Sequence, residues 1–279
     1  ALRGRLLRQP VVLTYHSDLL LPPGLMNRVA NHVVDAANIS AGMLATRVVA
    51  YTQDFADHSP FLRRFRDKIV VIPPPVEVAP ASTDDIAGFR ERWNIRGPVI
   101  GMAARLAAEK GVEVLLNALP RILSIYPNAR VLFAGPYENV LGEEAYARHL
   151  APLFERFRNH WTFLGTLGPS DMATFFPNLD MIIVPSLNST ETFGLVQVEA
   201  MLCGTPSVAS ALPGVRQPVI QTGMGEVVPI GDSAALAEAI LSILANRDRY
   251  VRPRAEVATR FSTEKTAELY EDLFRQLGA

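Results

Sequence analysis

Short apolar runs, each followed by a loop and then an amphipathic stretch, recur along the chain, with little polar alternation inside the runs. In the second half the runs fall at 98–103, 129–134, 161–164, 180–184, 206–209 and 226–229, where strands are predicted. Helical periodicity between them predicts helices near 112–125, 143–157, 170–176, 193–203 and 233–245. A strand that is apolar throughout is buried on both faces. Six such strands alternating with helices describe a parallel, doubly wound α/β sheet.

The first 75 residues repeat the theme in shorter form, with strands near 11–15, 46–51 and 68–72 and helices near 25–44 and 54–65. Three parallel strands leave an open edge and uncovered apolar faces, so further strands before Ala1 are expected. Pro73, Pro74 and Pro75 can continue neither strand nor helix and are read as a stiff linker. The amphipathic segment 263–277 either caps the second unit or returns to pack on the first. The expected organisation is therefore an incomplete Rossmann-like unit at 1–75, a complete one at 76–262 and a terminal helix within 263–279.

Composition narrows the functional classes. With 49% hydrophobic and 20% charged residues the chain can bury a real core, and a net charge of −1 gives no basic footprint for nucleic acid. The single cysteine, Cys203, excludes an internal disulfide and suits a reducing compartment, so a cytoplasmic protein is expected. No apolar run approaches the length of a membrane span, and no secretory leader opens the chain. Arg3, Arg5 and Arg8 near the apolar run Leu19, Leu20 and Leu21 suit an anionic membrane surface, with a solvated helix end as the plainer alternative.

In open α/β sheets ligands bind outside the carboxyl ends of the strands, and the candidate residues follow strands. Arg105 and Lys110 precede the helix that begins after Gly111, and two cations beside a helix N-terminus make an anion site fit for a diphosphate. Two solvated loop cations are the alternative. No Gly-Lys-Ser/Thr run and no Gly-x-Gly-x-x-Gly occurs, so the common nucleoside triphosphatase and dinucleotide fingerprints are absent. Glu199 falls on a nearly all-apolar helix between Leu195 and Cys203, where a carboxylate must be paired or hydrogen-bonded. A core arginine would satisfy it, and so would the hydroxyls of a ribose. Glu191 precedes the same helix. Were the intervening segment helical throughout, the two carboxylates would stand about 12 Å apart, too far for the dyad of a glycoside hydrolase. His16, at the end of the first strand, is read either as a structural histidine or as a group that bonds a substrate hydroxyl. Gly135 and Gly165 end strands where backbone could approach a nucleotide or merely turn. The other histidines are scattered without metal-ligand spacing, and no metal or other cofactor is expected.

Together these segments resemble glycosyltransferase family 4, the retaining group 1 enzymes of the GT-B fold. The resemblance runs from the His16 strand to the final helix. It is strongest from Glu191 to Pro206, which is similar to the family's Glu-x7-Glu and Glu-Ala-Met-x-x-Gly-x-Pro signatures, and next at Gly101 to Gly111. The segment Ile72 to Glu77 resembles the interdomain linker. The resemblance implies that Arg105 and Lys110 hold the donor diphosphate, that Phe193, Gly194 and Leu195 offer it backbone N–H groups, and that Glu199 holds the ribose. It places Glu191 beside the donor sugar, His16 near the reacting sugar and Gly165 near the base. It implies a nucleotide-sugar donor, a glycan, lipid or small-molecule acceptor, and retention without a bound metal. Residues 1–75 would then be the acceptor side and 76–262 the donor side. Ala104 stands where the family usually has glycine, Pro74 and Pro75 replace the usual linker glycine, and Glu77 the usual Asp. A non-catalytic nucleotide-sugar-binding module, or an inactive fragment of such an enzyme, is the competing expectation. A dinucleotide oxidoreductase on a similar fold is weakened by the missing glycine fingerprint.

Overall fold

The computed structural model describes residues 1–19 and 24–278, so Leu20 and Leu21 of the apolar run near the N-terminus lie outside the described residues. The N-terminal lobe contains α1 (Leu2–Leu6), β1 (Val12–Thr14), α2 (Leu25–Leu44), β2 (Arg47–Ala50), α3 (Gln53–His58) and β3 (Ile69–Val71). Its strands form a parallel sheet in the order β1-β2-β3. The predicted helix over 54–65 is broken. Ser59 precedes Pro60, is held extended at ψ 127, and ends α3, so the chain continues as a 3-10 turn over Leu62–Lys68.

The C-terminal lobe contains α4 (Thr83–Arg92), β4 (Val99–Ala103), α5 (Val112–Ile125), β5 (Arg130–Ala134), α6 (Glu144–Arg156), β6 (Trp161–Gly165) and α7 (Pro169–Phe175). It continues through β7 (Met181–Val184), α8 (Leu195–Leu202), β8 (Ser207–Ser210), α9 (Gln217–Thr222), β9 (Gly225–Val228), α10 (Ser233–Ala245) and α11 (Arg254–Phe261). Its six parallel strands run β6-β5-β4-β7-β8-β9, so the order reverses between β4 and β7. The apolar strands are buried on both sides as their sequences require. Met181 and Ile183 face a core shared with α5 and α10, whereas Ile182 and Val184 face the core formed with α7, α8 and α11. Helix α8 starts at Leu195, two residues later than its periodicity predicts, because its cap Gly194 is left-handed at φ 72.

The final helix, α12 (Thr263–Leu277), is capped by the Ser262 hydroxyl, which accepts from the Lys265 N–H at 3.2 Å. It lies on the N-terminal sheet, with Leu273 packed among Val49 and Ile72, and with the Tyr270 hydroxyl 3.0 Å from Thr14 Oγ1. The chain therefore passes from one lobe to the other at Pro73 and returns at Ser262, and the two passages are joined where the Val76 N–H donates to the Phe261 carbonyl at 3.0 Å.

The carboxyl ends of β4, β5 and β6 are knitted by backbone contacts. The Gly135 N–H donates to the Gly165 carbonyl at 2.7 Å, and the Leu106 N–H to the Pro136 carbonyl at 2.8 Å. Gly135 sits at φ 133, and a Cβ there would stand 2.0 Å from the Ala104 carbonyl oxygen, whereas a Cβ on Gly165, at φ 73, would meet nothing within 4 Å. Gly135→Ala is therefore expected to cost on the order of 2–4 kcal/mol, and Gly165→Ala about 1–2 kcal/mol. Urea denaturation of both variants checks this, and equal costs would contradict the packing of the Ala104 loop against Gly135.

Candidate functional site

The loop after β4 runs through Arg105 into a 3-10 turn at Ala108–Lys110, and Gly111 then caps α5. The loop after β7 descends to Gly194 at the start of α8. These loops leave adjacent strands in opposite directions, and one ion pair spans them: Lys110 Nζ lies 2.7 Å from Glu191 Oε2. The second oxygen of Glu191 accepts from the Gly194 N–H at 3.0 Å, so one carboxylate holds both the cation and the cap of the helix. A further backbone bond joins the loops, from the Leu187 N–H to the Glu109 carbonyl at 2.9 Å. Arg105 is exposed and pairs with Glu109 one turn along. The two predicted cations thus come to the same end of the sheet, each already held by an acid.

Gln197 fastens the start of α8 from below. It is fully buried, and its Nε2 donates to the carbonyls of Phe193 and Val215, both at 2.8 Å. Among the described residues the N–H groups of Leu195 and Val196 have no protein acceptor, so the helix end keeps donors to offer. Phe193 is buried, whereas Leu195 is exposed.

Glu199 departs from its sequence expectation. Its side chain is half-buried rather than enclosed, and among the described residues it makes no hydrogen bond or ion pair. Desolvation raises its pKa. At the opposite, C-terminal end of α8, burial raises the Cys203 thiol to about 11, with the Arg254 charge opposing and the Glu199 charge adding to the rise. A structural pair with a core arginine is therefore not what Glu199 forms. Because α8 begins only at Leu195, the helical separation from Glu191 estimated from sequence does not apply either.

His16 follows β1 and is exposed. Its Nδ1 meets the Tyr51 hydroxyl, and its carbonyl accepts from Thr192 Oγ1 at 2.7 Å. Tyr51 in turn packs edge-on against Phe193, with ring centroids 6.1 Å apart. The five residues from Glu191 to Leu195 thus touch Lys110, His16 and Tyr51, and they bring the N-terminal histidine to the C-terminal lobe. Gly165 ends β6 on the same side of the sheet, with open space beside it. Tyr51 and Thr192 were not singled out from sequence, although Tyr51 directly follows a strand as the other candidates do.

A groove of about 610 Å³ lies away from these residues, between the linker and the end of α8, lined by Val78, Leu202, Cys203 and Arg254 among others. Size alone misleads here, because that groove sits behind the sheet and not at its carboxyl ends. Among the described residues no three His, Cys, Asp or Glu side chains converge to hold a metal ion. No helix among them is long and apolar enough to cross a membrane.

Two lobes of parallel sheet bridged by a returning C-terminal helix, with facing loops at the strand ends, define the GT-B class of α/β glycosyltransferase. The family model "Glycosyl transferases group 1" matches residues 85–260, and the chain belongs to that family. A phosphatidyl-myo-inositol mannosyltransferase of Mycobacterium leprae is 37% identical over 155 residues, covering 54% of this chain and 39% of the relative. A D-inositol 3-phosphate glycosyltransferase of Segniliparus rotundus is 30% identical over 230 residues, covering 80% of this chain and 50% of the relative. The chain thus spans half or less of the length of these relatives. Among solved structures, sucrose-phosphate synthase from Thermosynechococcus elongatus superposes with a TM-score of 0.79 at 26% identity, over 98% of this chain and 70% of that one. Anabaena HepE, crystallised with UDP and glucose, shares the fold with a TM-score of 0.78 at 22% identity, over 99% of this chain and 73% of that one.

The raised pKa of Glu199 has a consequence for stability. A carboxyl group that holds its proton more tightly when folded stabilises the fold below its unfolded pKa, about 4.3, and that contribution is lost as pH rises through the higher folded value. At neutral pH the ionised Glu199 therefore opposes folding. Glu199→Gln is expected to be at least as stable as the parent at pH 7 and to lose its advantage below pH 4. Denaturant titrations at the two pH values decide it, and a variant clearly weaker at pH 7 would reveal a structural partner for the carboxylate.

Proposed function

We propose that the protein transfers a sugar, with retained configuration, from a nucleoside diphosphate donor to a hydroxyl of a glycan, lipid or small-molecule acceptor. The observation that carries this reading is Glu199: a half-buried carboxylate with no partner among the described residues, on the helix whose N-terminus keeps N–H donors without an acceptor among them. A buried polar group is normally satisfied, and a vicinal diol offers two donors to a carboxylate. In this reading Glu199 holds the donor ribose, and residues 76–262 form the donor side. Lys110, Arg105 and the N–H groups of Phe193, Gly194 and Leu195 receive the diphosphate, and Gly165 leaves room for the base.

Breaking the bond between the sugar's anomeric carbon and the diphosphate puts negative charge on the departing oxygen. Two cations and a helix N-terminus stabilise that charge where it forms, so no bound metal is invoked. Glu191, released from Lys110 and Gly194 when a diphosphate takes its place, is free to turn to the donor sugar. His16, presented by the acceptor-side residues 1–75, lies across from it, where its ring can bond a hydroxyl of the reacting sugar. The relatives named for inositol-containing acceptors support a polyol or polyol lipid as the acceptor class. The single free cysteine supports a reducing, cytoplasmic location, at the inner face of a membrane where the acceptor is a lipid.

Calorimetric titration with UDP, GDP, ADP, TDP and CMP tests the donor site. One nucleoside diphosphate is expected to bind, with the same affinity in EDTA. Glu199→Ala and Lys110→Ala should each weaken it by roughly ten- to a hundredfold, the loss of one or two charge-assisted hydrogen bonds. Absence of binding by the folded chain would sink the donor-site reading. Binding without sugar transfer to any hydroxyl, in a chain extended to the length of its relatives, would establish a binding module instead.

A further inference from the structure

Away from the candidate donor residues, a second set of charges joins the two lobes. Asp54, in the first turn of α3, receives Arg216 as a fork: Nη2 lies 2.6 Å from Oδ1 and Nε 2.9 Å from Oδ2. The same Oδ2 accepts from the Gly214 N–H at 2.9 Å. Arg216 and Gly214 belong to the segment that leads from β8 into α9, so one N-terminal-lobe carboxylate grips a single C-terminal-lobe loop at three points. The grip is largely sheltered, with the Asp54 side chain 13% exposed and that of Arg216 29%. Burial alone would raise the Asp54 pKa, but hydrogen bonds from Arg216, Gly214 and Gln217, with the Arg216 charge, outweigh it and hold the carboxyl below its ordinary value. His58, on the same helix, places its Nδ1 3.6 Å from Asp54 Oδ1.

The gripped loop bears directly on the candidate site. Gly214 lies so close to Thr192 that a Cβ on it would stand 2.1 Å from the Thr192 carbonyl oxygen. The carbonyl of Val215 accepts from Gln197, which also holds Phe193. Thr192 then reaches across the lobes to the His16 carbonyl. An unbroken set of contacts thus runs from Asp54 through Arg216 and Gly214 to Thr192 and His16. It begins and ends in the N-terminal lobe and passes through the loop that carries Glu191.

We propose that Asp54 and Arg216 are positioning residues that register the lobes, setting His16 against the 191–195 loop without themselves touching the donor. This rests on the reading of His16 as the residue that faces the reacting sugar. Arg216 suits the task because its planar fork fixes direction as well as distance, which a lysine would not. The consequence is a division of labour. Nucleotide affinity belongs to the C-terminal lobe alone, whereas turnover needs the registered pair.

The test uses the full chain with Asp54→Asn and Arg216→Met. Three quantities are measured: affinity for UDP and GDP, the rate at which nucleotide is released from UDP-glucose and GDP-mannose, and the His16 ring signals in nitrogen-15 NMR, assigned with His16→Gln. Both variants should keep nucleotide affinity within about twofold, lose at least tenfold in kcat with KM little changed, and move the His16 signals. The charge swap, Asp54→Arg with Arg216→Asp, should bring those signals part of the way back. His16 signals that coincide with the parent's in both variants would overturn the proposal, as would nucleotide affinity falling as far as turnover. If Asp54→Asn does not fold, Arg216→Gln carries the same test, since its site is the more exposed of the two. The NMR signals are read without any ligand, so failure of the parent to bind nucleotide counts against the donor-site reading alone.

Discussion

Right-handed crossovers place each helix on the sheet face dictated by the direction in which the chain is travelling. From β4 the chain moves outward to β5 and β6, then crosses back to β7 and moves outward the other way to β8 and β9. Helices α5 and α6 therefore cover one face, and α8 covers the other. Neighbouring strands β4 and β7 consequently send their loops apart, and the crevice at the site is the space they leave. Lys110 and Glu191 are 81 positions apart in sequence yet meet at 2.7 Å because they stand on opposite lips of that crevice. The buried apolar strands beneath bring the two loops together, and the opposite charges of the two side chains close the gap.

The site charges fall into two groups with different physical standing. Lys110 and Arg105 are balanced by Glu191 and Glu109, so the loops can be ordered without leaving an isolated cation. Glu199 has no counter-charge in an ion pair among the described residues, and desolvation works against its ionised form. A packed core would replace such a carboxylate with an apolar residue, since an unpaired charge away from water opposes folding. Holding it at the strand-order reversal makes sense where something from solution completes its hydrogen bonds. The helix end beside it has the opposite character, with N–H groups in want of an acceptor. A ligand with both anionic and hydroxyl groups would meet both deficits together.

Much of the architecture was legible in the sequence because buried parallel strands carry a continuous apolar signal. The runs at 98–103, 129–134 and 180–184 correspond to β4, β5 and β7 within a residue or two. Arg105, Lys110, Glu191 and Glu199 could be picked out because they follow such runs or interrupt an apolar helix face. What failed was local. The break after His58 depends on one proline acting on Ser59, and the late start of α8 depends on the backbone of Gly194, neither of which alters periodicity. Beyond the alternative that the final helix returns to the first unit, the contacts between lobes were not legible. Asp54 and Arg216 look like ordinary surface charges in their own segments, and only the folding of distant elements against each other makes them a pair.

The return of α12 to the first sheet means that the polypeptide crosses between the lobes twice, and the crossings lie side by side, bonded at Val76 and Phe261. One crossing is stiffened by three successive prolines, and the other leads straight into a capped helix. The two halves are thereby tied at a double crossing, so a rearrangement of one against the other has to carry both segments of the crossing with it.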